Sequence, residues 1–133
     1  TNVGVKRLLD VIVNFCPAPG ERGEEEGVDG QKRKIDPQEP FSAIIFKTLS
    51  EMHMGELSYI KVLSGVLKSG DEVINTSDGH PERIGQMFIL NGKEKKSTDV
   101  LYAGDIGALV KLKNTHTSDT LAAKGKEIVY PKI

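Results

Sequence analysis

The chain has a single cysteine, Cys16, so no intramolecular disulfide can form and a cysteine-rich metal site is excluded, a pattern that fits a reducing compartment. It has no tryptophan and only 5% aromatic residues, which argues against a platform for stacking nucleic-acid bases. Neither sign of charge dominates: 18 Lys and Arg stand against 19 Asp and Glu, for a formal net of -1. Nothing global therefore attracts the chain to nucleic acid. No apolar run approaches the roughly 20 residues a bilayer crossing needs, and the first twenty residues lack a signal peptide's charged start and apolar middle. A soluble, unexported, cytoplasmic chain without membrane contact is expected. At 133 residues the length suits one domain with a proper core.

Chemistry is also missing. His53, His80 and His116 are scattered with no ligand spacing, so no metal site is expected. Gly125-Lys126-Glu127 lacks both the upstream glycine and the hydroxyl of a phosphate-cradling loop. Cys16 abuts Pro17 at a helix end with no His nearby, and a small buried apolar role is expected for it. No catalytic, nucleotide-binding or cofactor-binding residue is therefore assigned within this chain.

What is present divides into three parts. Val5, Leu8, Leu9, Ile12 and Cys16 recur at spacings of three and four, with Val13 and Phe15 widening the stripe, which predicts an amphipathic helix in residues 1–16. Thr1 or Asn2 is the expected cap, and Pro17 the stop. So short a helix is marginal alone, and its stripe needs a partner surface. Residues 17–40 turn abruptly to Pro, Gly and charge, with Glu24-Glu25-Glu26 followed by Lys32-Arg33-Lys34. A charged, flexible or extended linker is predicted there, solvated or making a salt-sensitive contact through Lys32 to Lys34.

Residues 41–133 read as all-β, an antiparallel barrel of about six to seven short strands. Strands are predicted over 41–48, 57–63, 73–76, 82–90, 105–113 and 127–130. In the fifth, Ile106, Ala108, Val110 and Leu112 are expected inward, with Gly107, Leu109, Lys111 and Lys113 largely outward. Three corners, Leu67-Lys68-Ser69-Gly70-Asp71, Ala103-Gly104-Asp105 and Thr117-Ser118-Asp119, pair a small residue with an Asp that can bond local amides. Their aspartates are expected to serve the backbone. Lys68, Arg83, Lys93, Lys95, Lys96 and Lys111 lie at turns or strand ends, where they are candidates for phosphate contact.

In order along the chain, Pro40-Phe41-Ser42-Ala43, Phe46-Lys47, Gly55-Glu56-Leu57, Ser64-Gly65-Val66-Leu67-Lys68-Ser69-Gly70-Asp71, Glu82-Arg83-Ile84-Gly85, Tyr102-Ala103-Gly104-Asp105-Ile106 and Thr117-Ser118-Asp119-Thr120-Leu121 closely resemble the second domain of elongation factor G. The helix ending Phe15-Cys16-Pro17-Ala18-Pro19 looks like the last helix of that family's GTPase domain. The resemblance implies a non-catalytic barrel of a translational GTPase. Such a barrel would pack on the GTP-binding domain through Val5, Leu8, Leu9 and Ile12 and touch small-subunit ribosomal RNA during translocation. GTP and magnesium belong to the parent, a GTP hydrolase. Isolated, the helix would fray, pack on the barrel or pair with another copy. Ser118 stands where the family usually has Gly, and Met52-His53-Met54-Gly55 departs from its usual Asp-Pro connection. A divergent paralogue, acting in recycling or ribosomal protection as a protein-interaction barrel, is the alternative these departures leave open.

Overall fold

A computed structural model describes residues 2–133. Helix α1 spans Val5–Phe15, and the expected stripe is there, but none of its residues is buried. Its N-cap is Gly4, at φ 85°, with no side-chain bond; the proposed cap Asn2 contributes only its carbonyl, and Thr1 lies outside the described residues. Cys16 is exposed rather than buried, because the helix end it occupies covers nothing.

The segment expected as a flexible or extended linker has structure of its own. A 3-10 helix over Pro19–Arg22 leads into a hairpin of β1 (Glu24–Glu26) and β2 (Lys32–Lys34). The acidic run faces the basic run in register, Glu24 opposite Lys34, Glu25 opposite Arg33 and Glu26 opposite Lys32. One exposed ion pair crosses the hairpin, Lys32 to Glu26 at 3.9 Å, while Glu25 pairs with Arg22 and Arg33 turns to backbone carbonyls, so the backbone ladder rather than charge pairing joins the two runs.

The remainder is antiparallel β: β3 (Ser42–Glu51), β4 (Gly55–Ser64), β5 (Val66–Lys68), β6 (Glu72–Asn75), β7 (Pro81–Arg83), β8 (Met87–Asn91), β9 (Glu94–Thr98), β10 (Val100–Tyr102), β11 (Ile106–Val110) and β12 (Thr120–Ala123). Eight of them form one sheet in the order β7-β6-β12-β3-β4-β11-β8-β9, and β5 pairs with β10. Val73 and Ile84 from one end of that sheet meet Met87 from the other, around Ile45, Ile60, Leu67, Leu101, Leu109 and Leu121, in a single buried cluster. A sheet whose two ends share one core is curled into a barrel.

Several strand boundaries differ from expectation. The run 82–90 is broken at Ile84–Gln86 into β7 and β8, since Ile84 turns into the core and its N–H bonds the Asp71 carbonyl. Strand β9 is polar, as suits an edge strand guarded by lysines. Strand β12, Thr-Leu-Ala-Ala, is too short and alanine-rich to announce itself, yet it is central, between β6 and β3. Residues 127–130 are extended but unpaired as a strand, although Ile128 and Tyr130 are buried.

Strand β11 reverses the expected facing. Leu109 joins the main core, and Ala108 and Val110 pack in a second cluster with Leu57 and Phe88, so both faces are covered. Gly107 lies so close to Leu101 that an added Cβ would come within 2.6 Å of it. Lys111 then adopts φ 60°, a left-handed conformation that resets the alternation. Leu112 thereby returns to the core and Lys111 faces solvent.

Candidate functional site

The three corners share one geometry. In the first, the Asp71 carboxylate accepts the Lys68 N–H at 2.8 Å while the Asp71 N–H donates to the Lys68 carbonyl at 3.2 Å. Asp105 does the same with Tyr102 at 2.9 and 2.9 Å, and Asp119 with His116 at 2.8 and 3.1 Å. The residue before each aspartate has positive φ: Gly70 at 92°, Gly104 at 96° and Ser118 at 79°. Glycine enters that region without steric cost, whereas Ser118 occupies it with a side chain. Its hydroxyl is engaged by the backbone of Ile133. Asp119 also accepts the amide of the fully buried Asn75, at 2.9 Å. All three aspartates bond the backbone of their own corner, as their place in the sequence suggests.

The basic candidates fall into separate places. Arg83, Lys111 and Lys113 line one cleft together with Glu72, Pro81 and Glu82. Glu82 is 3% exposed, and its carboxylate is taken up by backbone: Oε1 accepts the N–H of Asn114 at 2.7 Å and of Lys113 at 3.0 Å, and Oε2 that of Lys113 at 3.1 Å. Glu72 faces Lys124 at 3.8 Å. Arg83, Lys111 and Lys113 form no ion pair among the described residues, so an anion entering the cleft would meet three cations. Strand-end position in the sequence singles out Arg83, Lys111 and Lys113 alike, but does not reveal that the three share one cleft.

Lys93, Lys95 and Lys96 sit on the β8–β9 hairpin, where Lys95 and Lys96 line a shallow groove with Ile89, Asn91 and Glu94. Lys95 is drawn away from solvent by an ion pair with Glu51, which weakens that patch as an anion site. Lys68 lies apart, exposed at the first corner, its N–H held by Asp71. The other candidates, Val5, Leu8, Leu9 and Ile12, are 44%, 59%, 55% and 45% exposed, an apolar face that covers nothing.

The carboxyl of Asp78 is held below its usual range chiefly by the backbone N–H of His80, and that of Glu127 by the backbone N–H of Gly125. Burial raises the Tyr130 phenol, whose hydroxyl lies 2.8 Å from Ser42 Oγ. Among the described residues no three His, Cys, Asp or Glu side chains gather as a metal set, and no helix is long and apolar enough to cross a membrane.

The fold is a curled antiparallel β-barrel module with carboxylate-locked corners, a basic surface cleft and an N-terminal helix whose apolar face is exposed. The family model "Elongation factor G domain 2" matches residues 40–124, and the chain belongs to that family. It is 38% identical over 99% of its length to elongation factor G of Granulibacter bethesdensis, and 42% identical over 96% to elongation factor G 2 of Desulfotalea psychrophila. Elongation factor G of Neorickettsia sennetsu is 38% identical over 99%. The chain spans about a fifth of the length of these relatives.

Proposed function

We propose that this barrel serves a longer, cytoplasmic translational GTPase by holding small-subunit ribosomal RNA during translocation while packed on the GTP-binding domain. The observation that carries the RNA contact is the cleft of Arg83, Lys111 and Lys113, whose cations have no carboxylate partner because Glu82 is saturated by backbone N–H groups. A phosphodiester oxygen supplies the missing charge. The exposed stripe of Val5, Leu8, Leu9 and Ile12 is the surface the GTP-binding domain would cover. GTP, magnesium and the hydrolytic residues belong to that other domain.

The test is sedimentation of the chain with isolated small ribosomal subunits over a range of salt concentrations. Three phosphate contacts give a slope of log K against log salt of about -2 to -3. Replacing Arg83, Lys111 and Lys113 together by Ala should flatten that slope, and replacing Lys93 and Lys96 should leave it. Binding that is insensitive to salt and to the triple replacement would favour a barrel that meets protein rather than RNA.

A further inference from the structure

The family match covers residues 40–124, yet the segments on either side of it are folded onto the barrel and onto each other. The N–H of Val28, in the β1–β2 hairpin, donates to the carbonyl of Val129 at 2.8 Å. Gly27 is buried so tightly there that an added Cβ would lie 2.8 Å from Ile128 Cγ1 and 2.9 Å from the Val129 oxygen. Arg33 reaches from β2 in two directions, its guanidinium donating to the carbonyl of Lys126 and, at 3.5 Å, to that of Phe41. Its side chain is 8% exposed, an enclosure a guanidinium accepts only with acceptors on the spot. Ahead of the hairpin, Pro19 packs on Gly104 at the second corner, where a Cβ would come within 2.8 Å of the proline ring. Ile35 is buried behind it, with its N–H on the Gly23 carbonyl at 3.1 Å.

We propose that residues 19–40 are a clamp that ties the segment leading into the barrel to the segment leading out of it, with Arg33 as the bolt. The clamp has two closing forces of different kinds. One is the in-register pairing of Glu24–Glu26 with Lys32–Lys34, and the other is the docking of Gly27, Val28 and Arg33 on 126–129. A displacement of the incoming chain is therefore passed to the outgoing chain at 126–129 as well as to the barrel corner on which Pro19 sits. Free movement of α1 is confined to the stretch between Phe15 and Pro19, since the helix has no buried residue and Pro19 is already seated on Gly104.

Trypsin distinguishes a clamp from a solvated linker, because Arg22, Lys32, Arg33 and Lys34 all fall in the segment while Lys6 and Arg7 lie in the unpartnered helix. Under native conditions cleavage at the former four is expected to be at least about tenfold slower than at the latter two. Amide exchange of Val28 and Ile35 should be slowed alongside it. Gly27→Val and Arg33→Met should each raise cleavage in 22–34 about tenfold while β3 and β4 amides keep their protection. Equal cleavage of segment and helix in the unsubstituted chain would overturn the clamp. So would unchanged cleavage in both variants, or loss of β3 and β4 protection in both, which would make the segment an inseparable part of the core.

Discussion

Removing the Glu82 carboxylate should open the barrel at one seam. Strand β7 stands at one end of the eight-stranded sheet, and the Glu82 side chain joins it to Lys113 and Asn114, just beyond β11. Glu82→Ala leaves two backbone N–H groups without their acceptor, each costing about 1–3 kcal/mol if no water replaces it. Lys113 and Asn114 are themselves exposed, so water recovers part of this, and the variant no longer has to desolvate a buried carboxylate. The net loss should be about 2–3 kcal/mol. Glu82→Gln keeps one acceptor oxygen and turns an amide group toward a donor, for a loss of about 1–2 kcal/mol. With a urea dependence of about 1–2 kcal/mol per molar, the midpoint should fall by more than about 1 M for Ala and by less for Gln. Far-UV circular dichroism follows the transition, and amide exchange at Asn114 reports the seam itself. A midpoint shift below about 0.3 M for Ala, with Asn114 still protected, would refute the closure argument.

Two further outcomes follow from particular residues. Lys111 carries its side chain at φ 60°, a conformation that costs an L-residue about 1–2 kcal/mol and glycine almost nothing. Lys111→Gly should therefore hold or raise stability by up to about 1 kcal/mol while lowering the salt slope of subunit binding by about 0.7–0.9, whereas Lys111→Val should lose stability; urea midpoints and sedimentation measure both. Burial raises the Tyr130 phenol in the folded state, so its contribution to stability is fully present below the unfolded value near pH 10 and disappears as pH rises through the folded one. Urea midpoints of the unsubstituted chain should drop above about pH 10, and Tyr130→Phe should show a shallower drop over the same range.

The sequence alone was enough for the β class, the order of the corners and the backbone duty of their aspartates. Corner chemistry is local: a small residue, an Asp and the amide three residues before it lie within five positions of chain, and their geometry follows from φ and side-chain reach. Ser118 shows how far such local reading extends, since its substitution for the family's glycine was visible in sequence and its φ of 79° places it in that same left-handed region. The amphipathic stripe of α1 was legible for the same reason, being a matter of periodicity. What tertiary structure decided is long-range. Which face of β11 points inward depends on Leu101 pressing on Gly107 and on the left-handed turn at Lys111, and no alternation pattern carries either. The cleft joins Arg83 to Lys111 and Lys113 across the β7 seam, some thirty positions apart in the chain. The charged runs of residues 24–26 and 32–34 resemble a solvated linker by composition, and become ordered because each finds the other in register and Arg33 finds the carbonyls of Phe41 and Lys126, where the chain enters and leaves the barrel.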